Sequence, residues 1–107
     1  MSATADTLTD LLIIGAGPTG LYAAFYAGLR GMSVRIVDSL DVPGGQLATL
    51  YPEKPIYDAP GFPEVLAKDL VAQLFRQAMY YRPTLCLGEQ VQTLDFDPQS
   101  ELYTVRT

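Results

Sequence analysis

An α/β fold with a parallel sheet is predicted by three successive features near the start of the chain: an apolar run ending in glycine, a glycine-spaced turn opening into a helix, and a β-branched run ending in aspartate. The apolar run, Leu11–Ile14, has the length and the Ile/Leu content of a buried parallel strand. Pro18 suits a helix start, and Leu21, Ala24, Phe25, Gly28 and Leu29 recur at helical spacing up to Gly31, where the helix should stop. Residues 33–37, with Val34, Ile36 and Val37, read as a second strand that ends at Asp38. These elements make one β-turn-α-β unit.

Residues 39–63 carry Pro43, Gly44, Gly45, Pro52, Pro55, Pro60, Gly61 and Pro63, a density of breakers that predicts a long loop without regular structure. Loops this long in a compact domain are usually functional or disordered. Leu47, Leu50, Tyr51, Ile56, Tyr57 and Phe62 supply the apolar surface that favours order. Residues 64–81 set Leu66, Leu70, Val71, Leu74, Phe75 and Met79 along one face, the pattern of a second, amphipathic helix closed by Pro83. Thr84–Leu87 offers a third strand beside the first two. Residues 90–96 and Leu102–Arg106 should pair antiparallel through a turn at Asp97, Pro98, Gln99 and Ser100.

Apolar residues form 49% of the chain and charged residues 18%, a globular balance. Seven Lys and Arg lie scattered against twelve Asp and Glu, so nucleic acid is not an expected partner. A single cysteine, Cys86, and no histidine exclude an internal disulfide, a Cys-x-x-Cys pair, imidazole catalysis and the common zinc sites from this chain; no metal is expected. Cys86 itself should be a buried, inert thiol. Residues 1–9 read as a flexible polar tail without the features of a secretory signal, and no apolar run nears the roughly 20 residues of a membrane span. A cytoplasmic protein that does not enter membranes is expected. The remaining unit, residues 10–107, stops before the further strand and helix of a full doubly wound half, which predicts the first part of a longer protein. A sheet edge and face left uncovered by that stop make a homodimer the expected assembly, self-association being one way to cover them.

Gly15, Gly17 and Gly20 fit Gly-x-Gly-x-x-Gly in the setting the motif requires, directly after a strand and at the opening of a helix. Gly15 permits the tight turn, Gly17 lets a diphosphate approach the backbone, and Gly20 lets the helix pack on the strand. The helix N-terminus aims unpaired N–H groups at the diphosphate, so no lysine is needed there. Asp38, at the end of the second strand, is placed to accept hydrogen bonds from a ribose diol and to repel a 2′-phosphate. The prediction is a Rossmann-like fold for an adenine dinucleotide, NAD and FAD both remaining open.

The segment that follows decides between them. Gly44, Gly45, Gln46 and Leu47, then Leu50, Tyr51, Pro52, Glu53, Lys54, Pro55, Ile56, Tyr57 and Asp58, with Pro60, Gly61, Phe62 and Pro63, resemble the thioredoxin-reductase-like ferredoxin-NADP reductases over roughly the first third of that family. The resemblance implies that residues 10–107 bind FAD and that Gly45 belongs to the binding set. It further implies that Gln46 meets the isoalloxazine ring, Tyr51 stacks on its face, Val91 lies beside the adenine, Asp38 holds the ribose, and Gly15, Gly17 and Thr19 border the diphosphate. An amide suits the polar edge of a flavin and an aromatic ring suits its flat face. From the residues alone, the alternative for Tyr51 is a loop aromatic filling the core and for Gln46 a surface amide, while Val91 reads equally as a core strand residue.

In that family the NADPH site sits on a second glycine-motif domain, and electrons pass to a protein acceptor such as ferredoxin. Nothing in these 107 residues can set a nicotinamide against a flavin, so this chain alone is expected to show no turnover. The glycines and Asp38 taken alone fit an NAD-dependent dehydrogenase module as well. A third reading is a non-catalytic piece that folds by self-association and binds no cofactor.

Overall fold

In chain order the elements are β1 (Leu11–Ile14), α1 (Pro18–Leu29), β2 (Val34–Asp38), α2 (Gly45–Leu50), β3 (Pro55–Ile56), β4 (Val65–Leu66), α3 (Ala67–Ala78) followed by a 3₁₀ turn (Met79–Tyr81), β5 (Thr84–Leu87), β6 (Thr93–Asp97) and β7 (Leu102–Arg106). They are drawn from a computed structural model that describes residues 7–107, and residues 1–6, most of the expected tail, lie outside the described residues. Thr7, Leu8 and Thr9 carry no regular structure.

The predicted parallel sheet is present, in the order β1-β2-β5, with Ile13 opposite Ile36 and Ile36 opposite Leu85. Because side chains alternate along a strand, Leu11, Ile13, Val34, Ile36, Leu85 and Leu87 share one face, and both long helices pack there. α1 contributes Leu21, Ala24 and Ala27 to this core, while α3 adds Leu74, Phe75 and Ala78. Leu21 and Ile36 are fully buried, each contributing about 1.5–3 kcal/mol of hydrophobic stabilisation. The opposite face, with Leu12, Arg35 and Cys86, carries neither helix, and Ile14 there is 57% exposed. α1 ends as expected near Gly31, where the N–H groups of Gly31 and Met32 close on the carbonyls of Gly28 and Ala27 at 2.9 and 3.0 Å.

Three expectations are corrected. Residues 39–63 are not a structureless loop: α2 lies within them and β3 pairs with β4, Pro55 opposite Leu66 and Ile56 opposite Val65. The breakers sit around these short elements rather than inside them, Gly44 and Gly45 turning the chain into α2 and Pro52 following its end. The second long helix begins at Ala67, not at residue 64, since Val65 and Leu66 are spent on the bridge to β3. Its first N–H groups are then met by backbone carbonyls, Ala67 donating to Lys54 and Lys68 to Pro52, both at 2.9 Å, beside an exposed Lys68–Glu53 ion pair. Cys86 is half-buried rather than buried, and Arg35, 51 positions away in sequence, donates from Nη1 to its sulfur at 3.0 Å.

The expected hairpin forms as β6 and β7, starting at Thr93. Its register puts Leu94, Phe96, Tyr103 and Val105 on one face, with the Phe96 and Tyr103 rings 4.8 Å apart between centroids. At its turn the Asp97 carboxylate accepts from Gln99 N–H and Ser100 Oγ–H, at 3.0 and 2.9 Å, and these bonds hold its pKa below the usual carboxylate value. A depressed folded pKa means that the turn's stabilisation is complete above about pH 4 and is lost as pH falls through the folded value. The protection of the Gln99 and Ser100 amides, taken relative to their intrinsic exchange rates at each pH, is expected to fall below about pH 4 in the wild type, and Asp97→Asn is expected to remove most of that change in protection.

Candidate functional site

The C-terminal edge of the parallel sheet gathers the glycine turn, the end of β2 and the loop after β5. This is the edge at which open α/β sheets bind their ligands. Gly15 leaves β1 at φ +112°, a value that L side chains rarely adopt, and its N–H stays on the Val37 carbonyl at 2.7 Å. Gly20 is glycine for packing: a Cβ there would overlap the Gly15 carbonyl oxygen and stand 3.2 Å from Ile13 Cγ2. Gly17 needs glycine for neither reason, since its φ is −75° and nothing lies within 4 Å of where a Cβ would stand. That open space fits a bulky group brought up to the backbone at the start of α1.

Gly17 is the N-cap of α1, no side chain caps the helix, and its first turn holds no acidic residue. The N-terminal positive potential is therefore not neutralised from within the helix. Thr19, in that first turn, is exposed. On the other side Gly45 approaches so closely that its Cβ would stand 3.2 Å from Gly17 Cα. The Gly44 N–H donates to the Ala16 carbonyl at 2.7 Å, locking the α2 entrance onto the glycine turn.

Asp38 lies between the glycine turn and the loop after β5. Its Oδ2 accepts from Ala16 N–H at 2.6 Å and its Oδ1 from Leu40 N–H at 2.8 Å. Two bonds leave lone pairs on both oxygens for a diol. The Glu89 N–H donates to the Asp38 carbonyl at 3.0 Å, which draws Val91 into the same cleft. Gly15, Asp38 and Val91 line it together with Ile14, Val37, Ser39, Glu89 and Gln90, and its volume is about 190 Å³. That is below the roughly 300 Å³ of a drug-sized pocket, a size for one end of a dinucleotide. A larger hollow of about 250 Å³, between Gly28, Met32, Tyr81 and Arg82, lies at the other end of the strands and holds none of these residues.

Gln46 and Tyr51 sit at opposite ends of α2, Gln46 exposed in its first turn and Tyr51 55% exposed at its C-cap. The Lys54 ammonium lies 5.7 Å from the Tyr51 ring centroid. The structure thus brings Gly15, Asp38 and Val91 into one cleft and Gly17 against Gly45, while Gln46 and Tyr51 stand on the α2 side, outside that cleft. Sequence reasoning missed the part of Ala16, whose N–H and C=O are both taken up by the site, and of Glu89, whose amide carries Val91 in. The breaker Gly88, at φ +72°, was the available signal for that second turn.

Among curated relatives, the chain is 60% identical over 85 residues to a ferredoxin–NADP reductase of Saccharopolyspora erythraea, covering 79% of this chain and 26% of that protein. It is 54% identical over 99 residues to the ferredoxin–NADP reductase of Thermus thermophilus, covering 92% and 29%. Among solved structures, the thioredoxin reductase of T. acidophilum superposes with a TM-score of 0.77 at 28% identity, over 92% of this chain and 30% of that one. The chain spans less than a third of the length of each of these relatives. Residues 13–83, from β1 through the glycine turn and α3 to the start of β5, match the family of NAD(P)-binding Rossmann-like domains, and the chain belongs to that family.

Proposed function

We propose that residues 10–107 form the FAD-binding unit of a flavoprotein reductase that, as a whole protein, passes electrons between NADPH and a protein acceptor such as ferredoxin. The observation that carries this reading is Gly17, a glycine that neither backbone nor packing demands, set at an uncapped helix start against Gly45. Gly15, Gly17 and Thr19 would border the diphosphate, with Gly20 closing the helix onto the strand. Asp38 and Val91 would hold the adenosine end, and Gln46 and Tyr51 would meet the flavin. The flavin, when bound, supplies the capacity to take up a hydride and release single electrons. This chain's residues bind and orient it. The nicotinamide site belongs to sequence beyond this chain, and a cytoplasmic homodimer completes the proposal. No helix among the described residues is long and apolar enough to cross a membrane.

The test is calorimetric titration of the chain with FAD, NAD and NADP, paired with flavin absorbance. Saturable FAD binding is expected. Gly17→Ala should leave the melting temperature within a few degrees yet weaken FAD at least about tenfold, or roughly 1.4 kcal/mol, because its methyl group occupies the ligand's space. Tyr51→Ala should cost FAD about two- to tenfold, the range of an aromatic stack, and NAD nothing. Binding of NAD without FAD would instead support a dehydrogenase module, and binding of neither would make the chain a non-binding piece.

A further inference from the structure

We propose that Asp38 is a positioning residue for the flavin end of the site, acting on α2 through the backbone of Ala16; the assignment of that end rests on the flavin-binding reading above. A carboxylate at the end of β2 is expected to serve the ribose. Here both of its oxygens are also engaged by backbone N–H groups, Oδ2 by Ala16 at 2.6 Å and Oδ1 by Leu40 at 2.8 Å. Ala16 is fully buried, and its carbonyl accepts the Gly44 N–H at 2.7 Å. Gly44 is the N-cap of α2, the helix that carries Gln46 and ends at Tyr51. A continuous strut therefore runs from the carboxylate through one buried residue to the entrance of α2.

Because Ala16 is shielded from water, releasing its N–H leaves a buried donor unpaired, and the residue moves to find a new partner. Its carbonyl moves with it, and the Gly44 bond weakens. The adenosine and flavin ends are thus mechanically linked in the protein itself, and a change at Asp38, whose carboxylate bonds to Ala16 and Leu40, is felt at α2.

Amide hydrogen exchange without nucleotide tests this in the wild type, Asp38→Ala and Asp38→Asn. In Asp38→Ala the Ala16 and Gly44 amides are both expected to exchange about tenfold faster relative to the Ile36 amide in the core of β2, which controls for global loss of stability. Asp38→Asn keeps one carbonyl acceptor and should recover most of the protection at both. Acceleration at Ala16 with Gly44 unchanged, or equal acceleration at Gly44 and Ile36, overturns the proposal. Titrations with AMP and FAD supply the second readout. A carboxylate serving only the ribose makes Asp38→Ala lose the same factor for both, whereas the strut makes the loss for FAD at least about threefold greater. If the wild type binds neither nucleotide, the flavin reading fails while the exchange experiment still decides whether the strut exists.

Discussion

Gly20→Ala is expected to lower the melting temperature by roughly 12 °C or more. The added methyl group would overlap the carbonyl oxygen of Gly15 and press on Ile13 Cγ2 at 3.2 Å, and the first of these is backbone that no rotamer change can move aside. Relief requires α1 to lift from β1, which pulls Leu21 and Ala24 out of contact with Ile13 and Ile36. Overpacking in a well-packed interior costs about 1–3 kcal/mol when side chains can yield, and a backbone collision belongs at or above the upper end. For a domain of about 100 residues each kcal/mol is worth about 4–8 °C, and a total stability of about 5–15 kcal/mol leaves a small margin. Thermal unfolding followed by circular dichroism checks this, with Gly17→Ala as the internal comparison. Two glycines three positions apart in one motif are expected to respond oppositely, Gly20 through stability and Gly17 through ligand affinity. Equal melting temperatures for the two variants would mean that Gly20 is not the contact between helix and strand.

What the sequence disclosed follows the range of the forces involved. β1, α1 and β2 were legible because their own residues demand them: Pro18 marks the helix start, Leu21 and Ala24 recur at helical spacing, and the β-branched Val34 and Ile36 mark the strand, the last four lying in one core. The spacing of the glycines from Asp38 likewise placed half of the cleft. α2 was not legible, since six residues opening on two glycines have no intrinsic helical stability, and what holds them is Ala16 from one side and Val71 from the other. The β3–β4 bridge is two residues long on each strand and leaves no periodicity to read. Val91 reached the cleft through a backbone bond from Glu89, in the loop after β5, to Asp38 at the end of β2, about half the chain away, and the Arg35 side chain reached Cys86 over a similar sequence distance. Gln46 and Tyr51 could be singled out only through the family resemblance, because exposed polar and aromatic loop residues carry no local signal of what they face.

The same dependence of α2 on its neighbours makes Gly44→Ala the second substitution with a large expected effect. Gly44 sits at φ +112°, beyond the region that an L residue reaches without strain, at a cost of about 1–2 kcal/mol. A Cβ there would also stand 2.5 Å from Ala48 Cβ and 2.6 Å from Val71 Cγ1, adding an overpacking cost of about 1–3 kcal/mol. α2 is short, so the cheapest relief is to displace it as a unit, which breaks the Gly44 bond to Ala16 and separates Gly45 from Gly17. The expected result is a destabilisation of about 2–5 kcal/mol and a loss of FAD affinity of at least about tenfold, with weaker effects on AMP. A double-mutant cycle with Val71→Ala separates the two causes. Removing the Val71 methyl groups relieves one collision but neither the backbone strain nor the contact with Ala48. Val71→Ala should therefore cost at least about 0.5 kcal/mol less in the Gly44→Ala background than in the wild type. Strict additivity would mean that the Val71 collision carries none of the cost, leaving it to the backbone conformation and the Ala48 contact, and α2 would then keep its seat against α3.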